Sequence, residues 1–582
     1  MSMFKRTNIE FTGQKRSALD MARGRLVLLS LFFVLSYILI GARVVHLTII
    51  EGELKKSEET VSYLEAEPVE AKAERRADIL DRNGVILARS LNTSSLYADP
   101  HLISDPKTVA KDLAKIFPDM TYGDLLQKLQ SDKRFVWIKR NMTPDDQYKI
   151  LYLGHPGLSF KEEQRRIYPQ GSLAAHIVGY TNVDDHGIAG LEASFDKLLN
   201  KGDEALLTTI DVRIQHALRR EVSTAMKTFS GVAGTGVVMD VNTGEVLAAV
   251  SLPDFDPNNA NDKKNKAAMF NNLTLGVFEP GSTFKIFTTA AAIENAGAQM
   301  GTTYDAREPL KIGRFKISDY HAQKRIMTLP EVFMHSSNIG SIKMAQAVGV
   351  DPFKNFLKDL GLFSKPDIEI PEVGAPIIKS SWKEIDMMTA SFGHGIAVSP
   401  LQLVTAASSI MNGGILVKPT LVMDKGQGGR KADKNSLRVV SEKTAHRMRQ
   451  LMRLVVTGGT GSKAEVAGYN VGGKTGTADK ASHGGYDKNK RRSSFMGFFP
   501  SEAPRYAVYI MVDEPKGTKE SYGYATAGWV AAPAVGKVIE SIVSIEGMKP
   551  QESDELGHTL DAYVKTKEQI AKEKQLAAFT AH

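Results

Sequence analysis

The chain has 582 residues, 42% of them hydrophobic and 24% charged, a globular composition that excludes long disordered stretches and, at this length, a single domain of ordinary size. The formal net charge of +8 is modest, and no stripe of Arg and Lys interleaved with aromatics appears, which argues against nucleic acid as a partner. With no cysteine, disulfides, thiol nucleophiles and thiolate zinc sites are excluded together.

Residues 1–25 carry Lys5, Arg6, Lys15, Arg16, Arg23 and Arg25 against Glu10 and Asp20, and read as a cytoplasmic tail. Leu26 to Ala42 is then a run of 17 residues without a charge, long enough to cross a bilayer, with Arg43 placed to snorkel to the headgroups. The basic excess before it predicts a cytoplasmic N-terminus and sends the rest of the chain to the other side. No small-x-small cleavage site follows, so 26–46 reads as a retained transmembrane helix and not as a signal peptide. Residues 47–75, charged and aperiodic, read as a stalk.

From Arg76 the pattern changes. ADILDRNGVILARS alternates around Asn83-Gly84, which predicts two short strands and a hairpin turn. Helical spacing over 107–117 and 122–130, a strand at Phe135–Ile138 and the segment Arg166-Ile167-Tyr168-Pro169-Gln170-Gly171 come next. No acid, base and nucleophile pair up here, so 76–205 reads as an α+β platform without chemistry of its own.

A further domain, 206–545, opens with Asp211 capping a helix whose apolar positions are Ile214, Leu218, Val222 and Met226. GVVMDVNTGEVLAAV predicts two strands around Asn242-Thr243-Gly244. Helices are expected from Ser282 to near Gly297 and over 352–361, 400–411 and 442–456. Strands Ser494–Phe499 and Tyr506–Val512 precede a helix over 528–545. Strands at both ends with helices between predict a sheet whose central strands come from distant parts of the chain. Residues 546–582, charged and without a strong period, read as a peripheral tail.

The candidate chemistry begins at Glu279-Pro280-Gly281-Ser282-Thr283-Phe284-Lys285. Pro280 and Gly281 break the chain before a run that is apolar at Phe284, Phe287, Ala291 and Ile293, so Ser282 falls in the first turn of the predicted helix. Lys285, three residues on, shares its face and can reach the serine oxygen. A lysine desolvated by apolar neighbours can deprotonate the hydroxyl, and the backbone N–H groups of a helix start favour negative charge at the attacked carbonyl. A Ser-x-x-Lys pair arises by chance about once or twice in a chain of this length, and Ser380 and Lys383 supply such a decoy without the Pro-Gly break.

Two downstream clusters give the pair its context. Ser336-Ser337-Asn338 stands between helical runs, where a hydroxyl can hand a proton to a leaving amine and a carboxamide can hold a substrate amide. Serine and asparagine are also ordinary caps, and Ser90-Leu91-Asn92 repeats the pattern without purpose. Lys474-Thr475-Gly476-Thr477, on a strand edge after two glycines, would offer a positive charge and hydroxyl donors to a carboxylate. Gly468 to Thr475 also fits a phosphate-binding loop, with VYIMVDE at 508–514 as the acidic strand. No apolar strand leads into Gly468 and no helix can follow Thr475, which argues against an NTPase.

Ser-x-x-Lys, Ser-x-Asn and Lys-Thr-Gly, in that order, are the signature set of penicillin-binding proteins and class A β-lactamases, with Ser337 where the pattern has Asp. The chain resembles a class B penicillin-binding protein over most of residues 20–545: the single anchor, Asp81-Arg82-Asn83-Gly84, Arg166 to Gly171 and Gly190-Leu191-Glu192 carry the likeness too. Ala77 departs from the glycine usual after Arg76. Glu279-Pro280-Gly281 with Ser336-Ser337-Asn338 looks like the cell-division type; an elongation-type enzyme, a catalytically weak scaffold and a hydrolase are the alternatives.

The resemblance implies an α+β fold: an N-terminal transmembrane helix, an elongated pedestal, and a transpeptidase domain with a central antiparallel sheet flanked by helices. It implies a peptidoglycan D,D-transpeptidase of the inner membrane, periplasmic and septal, that takes stem peptides, is acylated by β-lactams and works with a lipid-linked glycan polymerase and other division proteins. It implies Ser282 as nucleophile, Lys285 as base, Ser336 as proton relay, Asn338 on the substrate amide, and Lys474, Thr475, Gly476 and Thr477 around the substrate carboxylate. The N–H groups of Ser282 and Thr477 would form the oxyanion hole. No metal or cofactor is required.

Overall fold

The computed structural model describes residues 12–45, 75–260, 266–312, 315–424, 437–482, 485–566 and 568–571. The chain divides into two compact units, Met1–Glu74 and Arg75–His582.

In the first unit the uncharged run lies within one helix, α1 (Thr12–Val45), whose 34 residues give a length of about 51 Å at 1.5 Å per residue. Val27, Leu31, Phe32, Phe33, Leu35, Ile38 and Leu39 are all exposed, so this stretch of the helix presents apolar side chains all round and buries none of them. That is the pattern of a helix whose solvent is lipid. Residues 1–11 and the stalk at 47–74 lie outside the described residues. Among the described residues, Ala527–Glu546 is long and apolar enough to cross a membrane and Ser30–Arg43 within α1 is a shorter apolar stretch, but 56% of Ala527–Glu546 is buried and it belongs to a domain core.

In the second unit, β1 (Ile79–Leu80) and β2 (Ile86–Ala98) pair antiparallel around Asn83-Gly84. Asp81 Oδ1 accepts from the Asn83 and Val85 amides at 2.8 Å, which closes the turn. β2 runs far beyond the short strand expected, because it is the centre of a five-stranded sheet. Two helices come after it, α2 (Pro106–Ile116) and α3 (Tyr122–Leu129), capped by Asp105 and Thr121. Strand β3 (Val136–Met142), helix α4 (Pro144–Leu153) and strand β4 (Leu158–Ile167) complete the layer, and β4 pairs β2 from Arg89↔Ile167 to Ala98↔Leu158. Val109, Leu113, Leu125 and Leu129 pack the helices on Leu96 and Ile138. β5 (Leu206–Leu207) runs parallel to β1.

The platform residues Arg76, Arg166 and Glu192 meet in one ion cluster. Glu192, fully buried, accepts from Arg76 Nε and from Arg166 Nε at 2.7 Å each. Arg76 also donates to Asp196 at 2.6 Å and to Asn200 at 2.7 Å. Buried guanidinium groups require such partners. The hairpin turn then docks on the next domain, where Asn83 donates to Asp211 at 3.0 Å and the Val212 amide donates to Asp81 at 3.1 Å.

Asp211 caps α5 (Val212–Thr228) as expected, and β6 (Ala233–Asp240) and β7 (Val246–Leu252) come next. The helices include α6 (Lys285–Asn295), α7 (Leu329–Met334), α8 (Asn338–Val348), α9 (Pro400–Met411) and α10 (Glu442–Thr457), together with Val350–Asp359, close to the helix expected over 352–361, and Glu384–Ala390, before β8 (Gly472–Ser482), β9 (Gly485–Phe499) and β10 (Tyr506–Asp513). The sheet order is β8-β9-β10-β6-β7, antiparallel throughout. Its middle joins β10 to β6, from Tyr506↔Asp240 to Asp513↔Ala233, so strands from opposite ends of the domain lie side by side.

Alternation divides the two faces. Val238, Val508 and Ile510 face α5 and the C-terminal helix α11 (Ala532–Glu546), while Val237, Met239 and Tyr509 belong to the core built with Phe284, Phe287 and Met448. Three differences from expectation have local causes. The helix expected over 528–545 breaks at Ala531 into Ala527–Val530 and α11, because Pro533 lacks the N–H that would continue the first segment. The polar stretch after Thr475 extends the β8–β9 hairpin. Residues 546–566 are no peripheral tail: Leu556 and Leu560 are buried, Asp554 pairs with Arg453 at 2.7 Å, and the Lys565 amide donates to Glu331 at 2.9 Å. Two leucines four apart are too short a pattern to read as a packed element from sequence. Residues 572–582 lie outside the described residues.

Candidate active site

Ser282 stands in a single tight turn, Gly281–Phe284, that leads directly into α6. Thr283 Oγ1 closes the turn by donating to the Pro280 carbonyl at 2.8 Å, and Phe284 and Phe287, both fully buried, anchor the start of α6 in the core. Gly281 has φ +57°, and a Cβ there would meet the Thr477 carbonyl and Ala478 at 3.0 Å, so glycine lets the turn press against β8. The Ser282 side chain is half-buried in the wall of a cleft of about 520 Å³. Ser336, Asn338, Thr475 and Thr477 line the same cleft.

Lys285, one turn along, is completely buried. Its Nζ donates to the Ser336 carbonyl at 2.5 Å, to Asn338 Oδ1 at 2.7 Å and to Ser336 Oγ at 3.2 Å. The expected contact with the serine oxygen is not among these: no hydrogen bond joins Ser282 Oγ to Lys285 or to any other described residue. The amine is drawn to the second motif, which presents three acceptors. Burial pushes the Lys285 ammonium well below the ordinary lysine range, the Lys474 charge pushes the same way, and Asp319 opposes both.

The second motif is the junction of α7 and α8. Ser336 has φ +58°, a left-handed conformation unusual for serine, held by its amide donating to Phe333 O at 3.2 Å and by the Ser337 amide donating to Val332 O at 2.9 Å. Ser337 is the cap of α8, with Oγ accepting from the Gly340 amide at 2.9 Å. That hydroxyl also donates to Asp319 at 2.7 Å, and the Ile339 amide donates to the same carboxylate at 3.0 Å. Asn338 Nδ2 donates to the Ser318 carbonyl at 3.1 Å, which aims its Oδ1 at Lys285.

The third motif lies on β8, the edge strand, which positions Lys474 beneath the cleft. Lys474 is fully buried and donates to Ser336 Oγ at 2.9 Å; burial lowers its pKa to about 7. Thr475 Oγ1 lies 2.7 Å from Thr460 Oγ1, and Thr477 Oγ1 accepts from the Ala527 amide at 3.3 Å. Gly476 is enclosed: a Cβ there would meet Ser494 Oγ at 2.6 Å and Thr283 Cγ2 at 2.7 Å. The phosphate-loop reading of Gly468–Thr475 fails here, because Gly472 begins a strand that runs through Thr475 to Ser482, so no helix follows the loop. Ser90 serves only as a buried partner of Arg166, whose Nη1 donates to it at 3.3 Å.

Ser282 thus shares a cleft with a hydroxyl bonded to two buried lysines, a carboxamide and a hydroxyl-lined strand edge. Such a set can deprotonate a serine, carry the proton to a leaving group and hold an anion. The sequence alone did not single out Asp319, which holds the second motif, Thr460, which pairs with Thr475, or His394, which lines the cleft. None sits in a spacing that marks it, and each acts through a partner distant in the chain.

Residues 234–539 match the penicillin binding protein transpeptidase domain, and residues 71–206 match the penicillin-binding protein dimerisation domain. The chain is 39% identical over 488 residues to a probable peptidoglycan D,D-transpeptidase FtsI of Caulobacter vibrioides, covering 81% of this chain and 82% of that one. It is 30% identical over 573 residues to the stage V sporulation protein D of Bacillus subtilis, covering 91% and 87%. Among solved structures, penicillin binding protein 3 of Mycobacterium tuberculosis complexed with ampicillin superposes with a TM-score of 0.65 at 25% identity, covering 83% of this chain and 97% of that one. The matched domains span both the pedestal and the sheet that carries the cleft, and the chain belongs to the penicillin-binding transpeptidases.

Proposed function

We propose that this enzyme cross-links peptidoglycan stem peptides during septal wall synthesis through an acyl ester on Ser282. Burial and the Lys474 charge favour the unprotonated form of Lys285; in that form its N–H groups hold to Ser336 O and Asn338 Oδ1, and its lone pair takes the Ser282 proton as the hydroxyl attacks the carbonyl between two D-alanines. Ser336 relays that proton to the departing D-alanine amine, with Lys474 polarising the relay hydroxyl. Asn338 orients the acyl chain, and Lys474, Thr475 and Thr477 hold the terminal carboxylate, with Gly476, enclosed by Ser494 and Thr283, letting the strand edge pack against the nucleophile's turn. The amides of Ser282 and Thr477 receive the oxyanion. A neighbouring stem's amine then resolves the ester. The observation that supports this reading is the bonded line Asn338–Lys285–Ser336–Lys474 along one cleft wall.

In this reading the domains are the tail 1–25, anchor 26–46, stalk 47–75, pedestal 76–205, transpeptidase 206–545 and a C-terminal stretch from 546. The anchor is inserted in the inner membrane with its N-terminus cytoplasmic, the cleft lies in the periplasm at the septum, and the partners are a lipid-linked glycan polymerase and other division proteins. The similarity to the Caulobacter FtsI and the Glu279-Pro280-Gly281 context support the division assignment. Cells whose only copy is Ser282→Ala test it: they should elongate without completing septa. Normal septa would leave only a scaffold role, and bulging cells that still divide would favour the elongation type.

A further inference from the structure

His394 stands in the cleft wall with Ser282, and both of its chain neighbours are tied to the residues that precede that serine. The Gly281 amide donates to the Gly393 carbonyl at 3.1 Å, and the Gly395 amide donates to Glu279 Oε1 at 2.7 Å. The imidazole is therefore fixed to the same turn as the nucleophile. Its ring packs against Phe392 and Tyr486, with centroids 5.0 Å away in each case. Nδ1 is buried without a hydrogen-bond partner, and so is the second oxygen of Glu279, whose first accepts from the Tyr486 hydroxyl at 3.1 Å. Buried polar atoms are rarely left unmatched, and two around one ring call for an account.

The first half of the proposed reaction uses no group on this side of the cleft. Lys285 and Lys474 are engaged with Ser336 and Asn338. The second half needs an acceptor for a proton, because an amine that attacks the ester must lose one. We propose that His394 is the general base for the incoming amine, with the Glu279 carboxylate stabilising the imidazolium that forms. The proposal rests on the acyl-enzyme reading given above. As the amine nitrogen forms the C–N bond, its proton passes to the imidazole. The C–O bond to Ser282 then breaks, the Ser282 oxygen takes that proton, and the ring ends neutral.

The surroundings fit a ring that is neutral at rest. Burial lowers the His394 pKa below the ordinary 6.5, the Lys285 charge adds to that, and Glu279, the Phe392 carbonyl and Asp479 oppose it. His335 also lines the cleft, but its amide donates to Glu331 O at 2.9 Å at the end of α7, away from the nucleophile's turn, and it serves as the comparison.

The full chain in detergent is given an N-acyl-D-alanyl thioester as donor and D-alanine as acceptor, and the amine-dependent release of product is measured against pH. For the parent, the logarithm of the rate should rise with a slope of one where only the amine titrates and steepen to two below the His394 pKa, on the acid side of 6.5. His394→Gln should lose about 10²-fold in the amine-dependent rate and keep a slope of one throughout. Its acylation by labelled penicillin should fall less than threefold. Glu279→Gln, which removes a charge that favours the imidazolium, should move the steepening to lower pH. His335→Gln should retain the steep limb.

An unchanged amine-dependent rate in His394→Gln, or a steep limb lost in His335→Gln instead, overturns the assignment. Should His394→Gln capture no penicillin, His394→Tyr is read in the same way. If neither captures it, His394 belongs to the first half-reaction and the proposal falls. Failure of the parent itself to be acylated at Ser282 would instead sink the acyl-enzyme reading.

Discussion

Lys474 and Ser336, 138 positions apart in the chain, meet at 2.9 Å, and the hydroxyl that accepts from Lys474 also lies 3.2 Å from Lys285. One oxygen therefore links two buried amines whose charges repel. Replacing it by hydrogen removes the path between them without changing the packing around Phe333. Ser336→Ala should slow acylation by labelled penicillin by about 10²-fold or more, with the melting temperature within a few degrees of the parent. A time course of label capture measures it, and a rate within threefold of the parent would mean that the hydroxyl moves no proton.

Lys474 makes stability depend on pH in a defined direction. Its pKa is about 7 in the folded protein and near the ordinary 10.5 when unfolded. Between those values the unfolded chain binds more protons, so stability rises as pH increases from about 7 to 10.5 and the cost of the buried charge is fully present below 7. Lys474→Met should flatten this dependence. Melting temperatures of both proteins across that range decide it, and parallel curves would contradict the assignment.

Gly393 is predicted to tolerate no side chain. At φ +83°, a Cβ there would lie 2.1 Å from the Gly281 carbonyl oxygen and 2.6 Å from the Gly281 nitrogen, both backbone atoms that cannot rotate away. Gly393→Ala should displace the nucleophile's turn and abolish stoichiometric penicillin capture, with a stability loss at the large end for single substitutions, about 3 kcal/mol or more. Full capture at the parent's rate would show that the turn and the 393 loop are not coupled.

Glu192 holds the pedestal through two guanidinium groups. Glu192→Gln leaves Arg76 and Arg166 buried with one formal charge uncompensated, a loss of about 3–5 kcal/mol. Limited proteolysis should cut the pedestal variant much earlier than the parent. The transpeptidase domain, whose cleft residues make no contact with this cluster, should still capture penicillin.

The candidate site was legible because its residue types are chemically demanding and stand in three short clusters, and because Pro280-Gly281 marks where a helix begins. Helices with a clean 3.6 period were legible as well, such as the one from Val212 and the one from Glu442. The pairing of β10 with β6 could be expected only in outline, since nothing in Tyr506–Asp513 names its partner. The length of β2 was hidden because its Ser90 to Ser95 stretch reads as polar, yet Ser90 and Ser95 point into buried hydrogen bonds. The direction of the Lys285 amine was likewise out of reach. Spacing along a helix says that Lys285 can meet Ser282, but the stronger acceptors come from a left-handed Ser336 that no local pattern announces.

The most direct test of the acyl-enzyme mechanism is the mass of the proteolytic peptide that contains Ser282 after treatment with a β-lactam. The mechanism predicts that this peptide alone gains the mass of the opened drug and that Ser282→Ala gains none. An unmodified Ser282 peptide in fully folded protein, or a label that persists in Ser282→Ala, would contradict it.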